Sequence, residues 1–244
     1  MQKGVIELKI DDTVMEALDG KGYQDSIYAM FSIPSDTNID IRPNLIFKLC
    51  AEKRVIHLGC TDHLSIIDQK INSGMYLHQQ LSYIASECIG IDINKEAVAH
   101  IRKKGIKNVM LADITEPGIE IIEEGGWDWL LVPDVIEHIP NPVAFLRDIK
   151  NIYGRCFNGI IITTPNAYGA YSAGEASFSK EMINYDNCYH FTPYTLCKIV
   201  HMSGFRLNEL FLCSYENPTE RIRDKMELLV KYPLTRNTMV LTAY

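Results

Sequence analysis

Three aspartates, Asp92, Asp113 and Asp134, stand just past three successive apolar runs at 88–91, 109–111 and 127–132. Upstream, the stretch RVIHLGCTDH from Arg54 to His63 runs from an apolar strand into Gly59. If the runs are parallel strands, the three acids share one rim, the edge at which open α/β sheets bind ligands. A carboxylate after the second strand suits a ribose diol, because its two oxygens can accept from neighbouring hydroxyls. A carboxylate after the third suits an exocyclic amine donor. Gly59 would let backbone N–H groups come close to such a ligand. Each aspartate is also a favoured helix cap whether or not a ligand exists. Three in register after a glycine turn favour ligand binding.

The spacing after Gly59 narrows the ligand. A dinucleotide fingerprint places glycines at the first, third and sixth positions, so that a helix N-terminus can approach a pyrophosphate. Those positions hold Gly59, Thr61 and Leu64, and Asp62 adds an anion to the turn. A nucleoside without phosphates fits better. Two histidines lie where a proton could be taken: His138, after Glu137 on the same rim, and His190, in an aromatic stretch further on. Imidazole is suited to proton abstraction near neutral pH. Glu137 and His138 could equally bind the backbone of neighbouring loops. His63 and His78 read as loop-packing or surface groups, and His100 and His201 as helix surface. Asp134, Glu137 and His138 match no recognised metal-ligand spacing, so no metal is expected.

The scaffold that must position these residues reads as α/β, a doubly wound, mostly parallel, Rossmann-like sheet with an antiparallel strand pair at the C-terminal edge. Residues 1–41 form an N-terminal extension, with a helix near 13–18 and a Pro/Ser/Asp/Asn-rich loop at 34–38, and 42–244 form the main domain. Pro43 opens a helix with Leu45, Ile46, Leu49 and Cys50 on its apolar face. After the glycine turn comes a polar stretch, 61–74, and then a helix carrying Leu77, Leu81 and Ile84 on one side. Asn94 caps a helix that ends at Gly105, and Asn141 with Pro142 opens another that Gly154 stops. A fifth strand is expected at 159–163, a helix from Thr192 and Pro193, then strands at 205–213 and 237–243 with a helix-like segment at 221–230 between them. The aromatic, glycine-containing stretch 167–191, with Tyr168, Tyr171, Phe178 and Tyr185, is expected to form a mobile lid or substrate wall.

Composition excludes several classes. A chain of 244 residues with 47% hydrophobic content can bury a substantial core. Its net charge of −7 argues against tracking a phosphate backbone, so no nucleic-acid partner is expected. Seven cysteines without a CxxC pair suit a reducing compartment rather than a disulfide framework. The start MQKGVIELKIDDT alternates apolar residues with charges, and no run approaches membrane-spanning length. Cytoplasmic location without membrane contact is the expectation.

In order along the chain, several motifs resemble those of the class I S-adenosylmethionine-dependent methyltransferases. HLGC at 57–60 looks like the glycine motif, GIDIN at 90–94 like the ribose motif and LADI at 111–114 like the adenine motif. VPDVIEHIPNP at 132–142 is similar to the fourth-strand motif of the small-molecule branch, typified by ubiquinone-type methyltransferases, and IIITTPNAYG at 160–169 and FTPYTL at 191–196 extend the likeness to about residues 42–213. The resemblance implies S-adenosylmethionine as cofactor. It places Gly59 and Cys60 along the methionine part, Asp92 with Ile93 at the ribose, Asp113 with Ile114 at the adenine, and Pro133 and Asp134 beside the sulfonium. His57 stands where the family usually has an acid near the cofactor amine, Thr61 where a second glycine is usual, and Asn187 where the family often has a histidine. The implied reaction is in-line methyl transfer to a small polar, sugar-like acceptor, with His138 and, secondarily, His190 as bases. A second reading, an inactive cofactor-binding or regulatory protein of the same fold, rests on those three departures. A nucleotide-dependent oxidoreductase is disfavoured by the missing glycines.

Overall fold

Strands covered on both faces carry apolar residues at nearly every position, and the central strands here do so. In the computed structural model, which describes residues 6–8, 10, 12–21, 40–169, 183–215 and 229–244, eight strands form one sheet. They are β1 (Ile6–Leu8), β2 (Arg54–Leu58), β3 (Glu87–Asp92), β4 (Val109–Leu111), β5 (Trp127–Pro133), β6 (Phe157–Pro165), β7 (Leu207–Cys213) and β8 (Thr238–Ala243). Their spatial order is β1-β7-β8-β6-β5-β2-β3-β4. The five strands β2 to β6 are parallel, whereas β8 runs antiparallel to both β6 and β7, and β1 runs antiparallel to β7. The expected 34–38 loop, Tyr171, Phe178 and most of the 221–230 helix lie outside the described residues.

Alternation along the strands sorts two cores. Ile56, Leu58, Leu130, Val132, Ile160, Ile162 and Leu241 lie in a cluster with Leu146 and Ile149 of α7 (Pro142–Tyr153) and Leu196 and Val200 of α8 (Pro193–Met202). Their neighbours Val55, Leu131, Ile161 and Val240 lie in a second cluster with Leu45, Ile46 and Cys50 of α2 (Arg42–Cys50) and Leu81 of α4 (Leu77–Ile84). The sheet is therefore wound on both faces. Helix α1 (Asp12–Leu18) docks on α8, where Asp19 meets His201 at 2.6 Å and Lys198 donates to the Leu18 carbonyl.

Helix signals in the sequence act as read. Asn94 accepts from the Ala97 N–H at the start of α5 (Lys95–Lys103), Asn141 accepts from Ala144 at the start of α7, and Thr192 forms a reciprocal cap with Thr195 at the start of α8. Two elements differ from expectation. The polar stretch after Gly59 contains a helix, α3 (Leu64–Asn72), whose only fully buried residue is Ile67, too faint an apolar stripe to announce it. Two helices between β2 and β3 account for the length of that crossover. The N-terminal extension also supplies β1, which pairs with the otherwise open edge of β7. A short helix, α6 (Glu120–Glu123), precedes β5. Among the described residues no helix is long and apolar enough to cross a membrane.

Candidate active site

Chain order reverses at β2, which has β3 on one side and β5 on the other. At such a switch point the loops leaving the two neighbouring strands part and open a crevice at their carboxyl ends. Gly59 follows β2 with φ of 65°, and a Cβ on it would lie 2.5 Å from Cγ2 of Val135, which follows β5. Both the left-handed backbone and the close approach require glycine here. Asp134, between β5 and Val135, also has positive φ, 50°, a conformation that aspartate tolerates better than most residues.

The backbone donors of the glycine turn are already engaged. Gly59 and Cys60 donate to the Ile91 carbonyl at 2.9 and 3.3 Å, and Thr61 N–H donates to Oδ2 of Asp92 at 3.0 Å. Asp62 accepts from His63 N–H at 2.9 Å, just before α3, and takes an ion pair from Lys70. Where a phosphate-binding fold offers free N–H groups and a positive helix end, this chain has satisfied donors and a carboxylate.

Asp92, which is 8% exposed, uses Oδ1 to accept from Asn94 N–H at 2.8 Å and Oδ2 to accept from Thr61, at 2.8 Å from the hydroxyl. Asp113 is exposed and caps its own turn through Thr115 N–H and hydroxyl at 2.9 and 2.7 Å. Ile114 is buried in the core, whereas Ile93 is 74% exposed. The open apolar side chains next to these acids are Ile93 and Leu111. Pro133 is buried at the end of β5.

Asp134 is held by a residue that sequence reasoning missed. Arg42 at the start of α2 donates to Oδ2 of Asp134 and to Thr163 Oγ1 at 3.2 Å, and Thr163 donates to Oδ1 of Asp134 at 3.0 Å. The guanidinium is 8% exposed and lies over the Tyr215 ring at 4.4 Å. Burial works against its charge, but Asp134, Tyr215 and Cys213 together more than offset this and keep the group ionised. Only the Pro43 signal marked this helix end, and nothing local pairs residue 42 with residue 134.

His57 is buried and packs away from the three aspartates. Alternation along β2 turns it, with Val55, toward the face that α4 covers, and its Nδ1 lies 3.2 Å from Nδ1 of His78 on α4. The pair is fully buried, and burial pushes both imidazoles toward the neutral form, His78 to about 4. One Nδ1 donates and the other accepts, which commits that nitrogen of His57 to His78. Cys60 likewise turns its thiol inward among Ile67, Tyr76 and Val98, and Tyr76 donates to its carbonyl at 2.7 Å.

Glu137 and His138 sit on a 3-10 turn at Ile136–His138. Glu137 is buried, and Oε2 accepts from Thr164 at 3.0 Å. Burial, with the charge of Asp134 nearby, raises its carboxyl well above the usual carboxylate range and favours the protonated form. His138 is half-buried, and its Nδ1 lies 3.1 Å from the Asp186 carbonyl. A carbonyl can only accept, so Nδ1 carries the proton and Nε2 presents a lone pair. His190 is half-buried, and its side chain makes no hydrogen bond among the described residues.

The described end of the expected lid is tied down. The Glu137 carbonyl accepts from Cys188 and Tyr189 N–H at 2.7 and 3.1 Å, Tyr189 donates to the Pro140 carbonyl at 2.8 Å, and Ala167 N–H donates to Phe191 O at 2.8 Å. These bonds hold 186–191 beside His138. Residues 170–182 of the same stretch lie outside the described residues. Among the described residues no group of three or more His, Cys, Asp or Glu is arranged to hold a metal ion.

No protein-family model and no curated protein matches the sequence. Solved structures do resemble it. The small RNA methyltransferase HEN1 superposes with a TM-score of 0.54 at 15% identity, over 83% of this chain and 24% of that one. A Listeria monocytogenes protein provisionally assigned as an S-adenosylmethionine-dependent methyltransferase gives 0.50 at 14% identity, over 82% and 95%. An S-adenosylmethionine-dependent methyltransferase from Archaeoglobus fulgidus gives 0.47 at 17%, over 82% and 93%. The parallel strands, the reversal at β2 and the antiparallel β8 agree with the first two likenesses: the chain has the fold of the class I S-adenosylmethionine-dependent methyltransferases.

Proposed function

We propose that this protein transfers a methyl group from S-adenosylmethionine to a small polar acceptor of a sugar-like kind, in a reducing, cytoplasmic setting. The observation that carries the reading is the character of the rim. Asp92 closes β3, Asp113 and Asp134 follow β4 and β5, and Asp62 occupies the place before α3 where a phosphate would need positive charge. Such a rim suits a cationic nucleoside and opposes a pyrophosphate. The free cysteines, all seven, fit the compartment.

The residues present fit the cofactor. Asp92 would hold the ribose hydroxyls, Ile93 and Asp113 would hold the adenine, and Asp134, held by Arg42 and Thr163, would lie at the sulfonium end. When bound, the cofactor supplies an electrophilic methyl group to a nucleophile aligned opposite the leaving sulfur, and alignment with desolvation provides much of the acceleration. For a hydroxyl acceptor, Nε2 of His138 takes the proton. Glu137, buried against Thr164, stays out of that step, and the 186–191 wall confines the acceptor.

The net charge of −7 supports a small acceptor over a nucleic acid. Incubation with methyl-labelled cofactor, a mixture of small polar metabolites and, separately, small RNA tests this. Label is expected in the small-molecule fraction alone; label in RNA would overturn the acceptor class, and no transfer to either would favour a cofactor-binding protein without chemistry.

A further inference from the structure

Thr61 stands where its hydroxyl meets the oxygen that a ribose would use. Asp92 has two carboxylate oxygens with about four lone-pair positions between them. Three are filled from inside the chain: Asn94 N–H on Oδ1 at 2.8 Å, and Thr61 N–H and Thr61 Oγ1 on Oδ2 at 3.0 and 2.8 Å. A vicinal diol held by both oxygens needs one position on each. Oδ1 has one to give, but Oδ2 has none while the Thr61 hydroxyl donates to it. The carboxylate is 8% exposed, so water cannot readily take over a bond that is given up.

We propose that the Thr61 hydroxyl is a built-in competitor for the ribose diol and sets cofactor affinity, releasing Oδ2 by rotating about its side-chain bond when the diol enters. The backbone N–H of Thr61 stays on Oδ2 throughout and keeps the acid oriented. The glycine turn is thus self-satisfied in the empty protein, and the diol must displace a charge-assisted bond, one of the stronger kinds. The inference rests on the reading of the rim as a nucleoside site.

The test compares Thr61→Val, which keeps shape and N–H but lacks the hydroxyl, with Thr61→Ser, which keeps the hydroxyl. Each is titrated with S-adenosylhomocysteine and with its 2′,3′-dideoxy analogue, after denaturation curves establish that all are folded. Thr61→Val is expected to bind S-adenosylhomocysteine about tenfold more tightly, the ratio that a net hydrogen bond of about 1.5 kcal/mol to a charged group provides. Thr61→Ser should bind as the wild type does, and none of the variants should change affinity for the dideoxy analogue. Weaker binding of S-adenosylhomocysteine by Thr61→Val would mean that the hydroxyl orients Asp92 instead of competing for it, and equal gains for both ligands would mean a general loosening of the loop. Either result overturns the proposal while leaving the nucleoside site standing. Failure of every protein, wild type included, to bind either ligand would overturn both.

Discussion

Replacing His138 with asparagine is expected to slow methyl transfer to a hydroxyl acceptor by about 10²–10⁴-fold, the usual contribution of a positioned base, while S-adenosylhomocysteine binds nearly as before. The geometry behind this is specific. Nδ1 is committed as a donor to the Asp186 carbonyl at 3.1 Å, which fixes the ring and leaves Nε2 as the basic nitrogen. The neighbouring acid is poorly placed to substitute, because Glu137 is buried with Oε2 already accepting from Thr164. His190→Asn should have a smaller effect. Steady-state kinetics beside a cofactor titration separate the outcomes, since a group used only in the transition state lowers kcat and kcat/KM together. Full turnover in His138→Asn would mean that alignment alone drives transfer. Loss of cofactor affinity would mean that the histidine serves as a staple for the 186–191 wall.

The second large effect concerns stability. Arg42→Met leaves the Asp134 carboxylate without its cation at a backbone position with φ of 50°. Breaking a fully buried pair costs about 3–5 kcal/mol; with the Asp134 side chain 27% exposed, about 2–3 is expected here. For a chain of this size that lowers the melting temperature by about 4–12 °C. Adding Asp134→Asn to Arg42→Met should restore much of the loss, because the orphaned charge is then gone. Additive losses in the double variant, read from denaturant unfolding, would show that the two residues are not coupled.

Much of this arrangement is legible in local signals. The caps at Asn94, Asn141 and Thr192, the apolar runs and the glycine turn each act over a few residues, and together they define the parallel strands and the rim at their ends. Partner choice across the fold is not local. Arg42 reaches Asp134 across 92 residues of chain, and His57 meets His78 only because alternation on β2 turns it toward α4. Period-two counting from Val55 could have placed His57 inside. No pattern in the sequence pairs β1 with β7, and α3 escapes notice because it buries little besides Ile67. At the rim, the sequence identifies the three acids but not that Thr61 already occupies one of them.

The account stands most directly on what the rim binds. A calorimetric titration of the wild-type protein with S-adenosylhomocysteine, and in parallel with NAD, reads it in one experiment. Saturable one-to-one binding of S-adenosylhomocysteine, strongly weakened in Asp92→Ala, with no heat from NAD, is the predicted result. Binding of NAD without binding of S-adenosylhomocysteine would contradict it.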